Sequence, residues 1–213
     1  MFKYDGIEPI FYSNLKIFQW LLKTVGINKE LQDLTTQIQN TLNDWRQKLT
    51  VSTIINEPYF CLIPGGRMLF RRYRNWHKVL NTILHNTDKY AVILDNKSGM
   101  FNINWDELLY RDRIIDLTGK TTINDLFGIL KHSSFVLGND TGPTHISAVL
   151  GRNTYVITAP SGYKTFWPWP AWLANTQVYA AQPINGCSNN RPCCHNTNIN
   201  DEAKCLETIN INN

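Results

Sequence analysis

The stretch Phe135-Val-Leu-Gly-Asn-Asp140-Thr-Gly-Pro-Thr-His145-Ile-Ser-Ala-Val-Leu-Gly151 predicts a short buried strand that leads through a turn into a helix. Its apolar start is typical of a buried strand, and turn-forming residues follow. Pro143 suits the first position of a helix, and the closing glycine suits the residue after its end. We therefore predict a helix over 144–150, with Asp140 as its cap and His145 in its first turn. The N–H groups at such a helix start form a ready anion site.

The rest of the chain repeats this alternation of strand and helix. Strands that alternate with short helices predict βαβ units and a Rossmann-like parallel sheet with flanking helices. The predicted strands are 59–63, 90–94, 114–117, 154–158 and 177–181, and the predicted helices are 76–84, 105–110 and 123–130.

Two helical patterns, at 11–25 and 30–49, precede the first strand. We therefore divide the chain into a helical linker or appendage, 1–50, and a Rossmann-like domain, 51–213. The first helix has a wide apolar stripe. That stripe fits a core or inter-domain helix, and a helix that docks on a partner or a membrane surface is the alternative.

Several glycine-containing loops follow the predicted strands, and ligands of open α/β sheets bind at that edge. These loops predict a nucleotide-sized ligand. They are Pro64-Gly65-Gly66, Ser98-Gly99, Thr118-Gly119, Gly138 and Ala159-Pro-Ser-Gly162. A basic loop after the first strand adds a candidate phosphate clamp, because guanidinium groups bind diphosphates bidentately. It contains Arg71, Arg72 and Arg74.

Composition excludes several classes of protein. A net charge of +4 is too small to indicate a nucleic-acid partner. No apolar run approaches the about 20 residues of a membrane span, and the N-terminus does not resemble a secretory signal. We therefore expect a cytoplasmic protein. Gly119-Lys-Thr121 lacks the glycine that a phosphate loop requires, and Asp140-Thr-Gly142 precedes a helix, unlike the motif of aspartic proteases.

Four of the five cysteines crowd the C-terminal tail, whereas Cys61 lies in an apolar strand and is expected in the core. Zinc, disulfide bonds and free thiols all remain open for the tail, and we predict no metal site of the common Cys-x2-Cys type. These cysteines are Cys187, Cys193, Cys194 and Cys205. The aromatic loop 166–172 fits three roles: stacking on a sugar or base, contact with lipid, or a cover over the sheet edge.

The motif that begins at Gly138-Asn-Asp140-Thr-Gly-Pro-Thr-His145 resembles the signature of family 9 glycosyltransferases, the lipopolysaccharide heptosyltransferase group. Asp116-Leu-Thr-Gly-Lys-Thr-Thr-Ile123, Pro64-Gly-Gly and Arg74-Asn-Trp76 are similar to further motifs of that family. The resemblance covers about residues 58–209 and implies the C-terminal, donor-binding half of a GT-B fold.

The resemblance implies inverting transfer from a nucleotide-activated sugar, ADP-linked, to lipopolysaccharide or a related surface glycan, without a metal or other cofactor. It implies that the following residues bind the donor: Asp140, Thr141, Gly142, His145, Arg74, Gly65, Gly66, Thr118 and Gly119. The family's general base lies in an N-terminal acceptor domain, and we expect that no such domain precedes these residues. The chain would then be a donor half that needs a partner chain, or a truncated gene product. The resemblance also implies a glycolipid acceptor and contact with the inner membrane. A non-catalytic nucleotide- or partner-binding module is the alternative. The loop Asp95-Asn-Lys-Ser-Gly99 also lacks the family's ribose-binding glutamate.

Overall fold

The computed structural model of the chain describes residues 10–66, 71–96, 103–160, 162–163, 166–181 and 204–209. Five helices have the bounds α1 Ile10–Thr24, α2 Leu31–Lys48, α3 Trp76–His85, α4 Ile123–His132 and α5 Gly142–Val149. The strands are β1 Tyr59–Ile63, β2 Tyr90–Ile93, β3 Ile114–Asp116, β4 Val136–Asn139, β5 Thr154–Thr158 and β6 Thr176–Ala180.

The six strands form one sheet in the order β3-β2-β1-β4-β5-β6, and every neighbouring pair is parallel. This is the doubly wound Rossmann order, in which the direction of winding reverses between β1 and β4. The predicted fold class is confirmed. The reversal separates the connections that follow β1 and β4 and opens a crevice at the carboxyl ends of these two strands.

The core lies in two layers, one on each face of the sheet. In β1, Phe60 and Leu62 pack with α3, whereas Cys61 and Ile63 pack with α4 on the opposite face. Because both faces are covered, β1 is buried along its whole length, which is why its sequence is continuously apolar. The expected core position of Cys61 is confirmed.

The helix predicted at 105–110 is wrong, and the other predicted helices differ from the observed bounds by one or two residues at an end. Residues 105–110, predicted as one helix, form two separate 3-10 turns, Trp105–Glu107 and Arg111–Arg113. Asn104 caps the first turn by accepting from the Asp106 N–H, and the second leads directly into β3. A segment this short does not offset the cost of starting an α-helix. Helix α5 starts at Gly142, two residues before the predicted start at 144, because Thr141 is its N-cap.

Helix α2 packs against the α/β domain, and α1 packs on α2. The Arg46 guanidinium donates to the carbonyls of Val149 and Leu173, at 2.6 and 2.7 Å. Helix α1 buries Leu15 and leaves Trp20 53% exposed. No helix in the described parts of the chain is long and apolar enough to cross a membrane. The division at residue 50 stays a prediction.

Candidate functional site

A cleft of about 700 Å³ opens at the carboxyl edge of the sheet, where the winding reverses. Its walls come from the segments after β1, β2, β3 and β4, as the positions of the loops predict. The lining includes Gly65, Gly66, Arg71, Asp95, Gly119 and the first turn of α5. The volume suits a ligand of nucleotide size.

The glycines of this cleft allow their backbone to lie closer to neighbouring atoms than a residue with a side chain could. A Cβ atom at Gly65 would lie 1.9 Å from Oδ2 of Asp95. Gly66 and Gly119 have φ angles of 151° and 65°, which side-chain-bearing residues rarely adopt. Gly65, Gly66 and Gly119 all line the cleft, and their contact with a donor stays a prediction. Thr118 donates its backbone N–H to Asp116 and is not among the described residues that line the cleft.

The N-terminus of α5 points its first turn into the cleft. Thr141, Gly142 and Pro143 line the cleft, and a Cβ at Gly142 would meet no atom within 4 Å. The Thr144 hydroxyl donates to the Asn139 carbonyl at 2.7 Å and fixes the turn. Backbone N–H groups and the helix dipole therefore favour an anion at this point. Contact of Thr141 and Gly142 with a donor stays a prediction.

Asp140 does not cap α5, which corrects the expected role of its side chain. Its carboxylate turns towards the β5–β6 connection, where Oδ1 accepts from Trp167 Nε1 at 2.8 Å and from His145 Nε2 at 3.2 Å. Its Oδ2 lies 3.4 Å from the Arg71 guanidinium. Burial alone would raise the pKa of Asp140, but the two N–H donors and the nearby cation hold it below its usual value. The side chain is therefore a buried anion with three partners.

His145 lies behind Asp140. Its ring stacks on Trp167 with centroids 4.2 Å apart, and its Nδ1 accepts from Trp169 Nε1 at 2.9 Å. Because an indole N–H only donates, Nδ1 carries no proton and the proton is on Nε2, facing Asp140. His145 is not among the described residues that line the cleft. A donor contact by His145 stays a prediction.

The basic loop after β1 places one arginine in the cleft. Arg71 lines it, with the guanidinium 5.8 Å from the centre of the Phe166 ring. Arg72 is buried and donates to the Gly66 carbonyl at 2.7 Å, so it fixes the loop. Arg74 is exposed and is not among the described residues that line the cleft. Of the three arginines, Arg71 is the one among the described residues that line the cleft.

The sequence did not identify two residues that shape this site. Asn139 is fully buried; its amide donates to the carbonyls of Pro64 and Gly65, and its oxygen accepts from the Tyr73 N–H. It therefore ties β4 to the loop after β1. Asp95 lines the cleft just beyond β2, and burial raises its pKa. A carboxylate at the end of β2 is the signal that could have identified it, since that position binds ribose hydroxyls in dinucleotide domains.

The described residues contain no group of three His, Cys, Asp or Glu side chains that could hold a metal. Cys205 is buried and packs in the core layer that contains α3. The other three tail cysteines, Cys187, Cys193 and Cys194, lie outside the described residues. A zinc site in the tail therefore stays untested.

Comparison with known proteins connects this site to a family. The sequence matches glycosyltransferase family 9 (heptosyltransferase) over residues 8–204, and comparison with curated protein sequences gives no match. The fold is similar to ADP-heptose lipopolysaccharide heptosyltransferase II of E. coli, with a TM-score of 0.52 and 14% identity over 80% of this chain and 46% of that one. It is also similar to the iron-containing dodecameric glycosyltransferase TibC of enterotoxigenic E. coli H10407, with a TM-score of 0.51 and 18% identity over 67% of this chain and 36% of that one. The chain spans less than half the length of either structure. The match over most of its sequence shows that the chain belongs to glycosyltransferase family 9.

Proposed function

We propose that the cleft binds a nucleotide-activated sugar, ADP-linked, as the donor of a glycosyl transfer. One observation carries the proposal: bare backbone at Gly65 and Gly66, the N-terminus of α5 and the Arg71 guanidinium meet in one cleft. Glycine backbone, a helix start and a guanidinium are all groups that favour a diphosphate. The similar protein TibC has a structure in complex with ADP-D-β-D-heptose, which supports this class of donor.

Each group in the cleft receives a role from its chemistry. Arg71 and the N–H groups at Gly142 offset the charge that grows on the diphosphate as the bond to the sugar breaks. Asp95 accepts hydrogen bonds from ribose hydroxyls, in place of the glutamate that the sequence lacks. The segment at Thr118 and Gly119 borders the base. The remaining predicted donor residues, Asp140, Thr141, His145 and Arg74, stay part of this proposal.

The reaction requires more than the groups in this cleft. Inverting transfer to lipopolysaccharide or a related surface glycan needs a base that deprotonates the acceptor hydroxyl. We propose that an acceptor-binding domain supplies this base, because the described residues of the cleft are all given roles towards the donor. The proposed setting is the cytoplasm at the inner membrane, where a glycolipid acceptor is accessible. The proposed transfer uses no cofactor.

We also propose a second candidate, a nucleotide- or partner-binding module without catalysis, because no described residue of the cleft is assigned as the base of the reaction. Such a module would keep the cleft and bind a nucleotide, and it would leave the donor unchanged. Incubation with ADP-heptose separates the two candidates. Release of ADP or transfer of the sugar, lost in Asp140→Ala, supports the enzyme, whereas binding without turnover, alone or with an acceptor domain, supports the module.

Nucleotide binding is tested by thermal shift with ADP, GDP and UDP. A nucleotide at about 100 times its Kd stabilises the folded chain by roughly 2.7 kcal/mol. We expect the largest shift with ADP. Arg111 lies just before β3, at the end of the sheet opposite the cleft. Arg111→Ala therefore removes one positive charge away from the cleft, and it serves as the control for the arginine variants described next. No shift with any of the three nucleotides contradicts the proposal.

The two arginines are compared by the affinity for ADP. Arg71→Ala should weaken binding about tenfold or more, because a hydrogen bond to a charged group contributes about 1.5–3 kcal/mol. Arg74→Ala tests the assignment that the family resemblance makes. If Arg74→Ala lowers the affinity for ADP and Arg71→Ala does not change it, Arg74 and not Arg71 makes the phosphate contact.

A further inference from the structure

Four side chains form a continuous series of polar contacts from the β5–β6 connection to the cleft. Trp169 donates to Nδ1 of His145 at 2.9 Å, and Nε2 of His145 donates to Asp140 at 3.2 Å. Asp140 then faces the Arg71 guanidinium at 3.4 Å. Each group has only one chemically consistent orientation, because the series starts at a pure donor and ends at a cation.

We propose that Trp169 is a positioning residue for the donor site: it fixes the tautomer of His145, and through Asp140 it orients Arg71. The proposal rests on the donor-binding function proposed above and goes beyond it, since Trp169 lies outside the cleft lining and contacts no donor atom in this scheme. In this scheme His145 connects Trp169 to Asp140, one through each ring nitrogen.

The tautomer matters because it decides whether the His145 ring donates an N–H to Asp140. With the Nε2 proton in place, the ring offers Asp140 one N–H and no net charge, and the carboxylate keeps its charge for Arg71. Without the Trp169 N–H, nothing at Nδ1 excludes the tautomer that carries its proton there. That tautomer presents the lone pair of Nε2 to a buried carboxylate, so Asp140 loses one N–H donor and no longer holds the Arg71 guanidinium in the same orientation.

Packing supports the same assignment. Trp167, which is fully buried, stacks under the His145 ring at an interplanar angle of 9° and also donates to Asp140. A Cβ at Gly162 would lie 3.1 Å from Oδ2 of Asp140, so the loop closes tightly against the carboxylate. The β5–β6 connection therefore holds the His145–Asp140 pair in one geometry. A loop that served only as a cover for the sheet edge would not need two indole N–H groups aimed at this pair.

The test combines a spectroscopic readout with a binding readout on the full chain. Long-range proton–nitrogen correlation spectra report the tautomer of each histidine, and His145→Gln assigns the signal. We expect the Nε2–H form in the natural chain and a mixture in Trp169→Phe. The Kd for ADP should weaken about tenfold in Trp169→Phe and stay unchanged in Trp172→Phe, a matched change in the same loop. A tautomer or a Kd that Trp169→Phe leaves unchanged overturns the proposal.

A second pair of variants decides the question if Trp169→Phe does not fold. Glutamine at position 145 can donate to Asp140 and accept from Trp169, whereas leucine can do neither. We expect His145→Leu to bind ADP about tenfold more weakly than His145→Gln. Equal losses in both variants would mean that the imidazole contacts the donor, and they would overturn the positioning role. If the natural chain binds no nucleotide, the donor function fails, and the tautomer spectra alone still test the link between Trp169 and His145.

Discussion

Replacement of Asp140 tests the buried anion at the centre of the site. Asp140→Ala leaves the indole of Trp167, the imidazole of His145 and the guanidinium of Arg71 without their shared acceptor. Loss of one partner from a buried charged network costs about 3–5 kcal/mol of unfolding free energy. Asp140→Asn keeps one oxygen for the two N–H groups and loses the charge. Arg71 is 34% exposed, so its ion pair is screened and the expected cost of Asp140→Asn is about 1–2 kcal/mol.

The dependence on pH gives a second, independent readout. The pKa of Asp140 is lower in the folded chain than the ordinary value of 3.8. The carboxylate therefore contributes its full stabilisation above that value, and the contribution is lost as the pH falls through the folded pKa. The difference in unfolding free energy between the natural chain and Asp140→Asn should be constant from about pH 7 to about pH 5. It should narrow as the pH falls below about 4.

Urea denaturation of the two variants and the natural chain measures both effects, with Asp44→Asn, a change at an exposed surface ion pair, as the control. The reasoning is refuted if Asp140→Ala costs less than about 1 kcal/mol, or as little as the Asp44 control. It is refuted equally if Asp140→Asn gains stability relative to the natural chain as the pH rises from about 4 to about 7.

Three further predictions concern the fold. Arg46→Met should lower the unfolding free energy by about 2–3 kcal/mol in urea, because three backbone carbonyls lose a charged donor; a cost below about 0.5 kcal/mol would show that α2 is not held by this side chain. Gly138→Ala should lower the thermal midpoint, with a cost of about 1–3 kcal/mol, since a Cβ there would lie 2.6 Å from Thr144 Oγ1; an unchanged midpoint contradicts the close packing. Cys61 should be alkylated only after unfolding, as measured by peptide mapping, because complete burial raises the pKa of its thiol; rapid alkylation of the folded chain contradicts its core position.

The fold could be predicted from the sequence because its signals are local. Continuous apolar runs such as Tyr59–Ile63 mark strands that are buried on both faces, and the glycines after them mark the edge where they end. The two strands at 59–63 and 154–158 have the predicted bounds. Helix ends were less accurate, because the N-cap of α5 depends on which of several turn-forming residues has an extended backbone.

The side chains of the site could be predicted only in part, because their partners are distant in the sequence. Asp140 looked like a helix cap, since a cap is the local use of an aspartate at that position. Two of its three partners are distant: Trp167 lies 27 residues after it, and Arg71 lies on a separate loop. The role of Asn139 likewise depends on the loop at Pro64, a contact between residues 75 positions apart. No local pattern carries such information.

The attachment of α2 has a consequence for where this protein can be divided. Arg46 donates to carbonyls at the end of α5 and to that of Leu173, while Lys131 of α4 donates back to the Arg46 carbonyl at 3.2 Å. A Cβ at Gly128 would lie 1.8 Å from the Ser52 carbonyl, so the segment after α2 also lies tightly on α4. The helical patterns of the sequence place a border near residue 50, yet the hydrogen bonds of Arg46 cross it in both directions. Proteolysis or deletion at that border would therefore remove a wall of the domain, and the smallest unit that folds by itself should begin before α2.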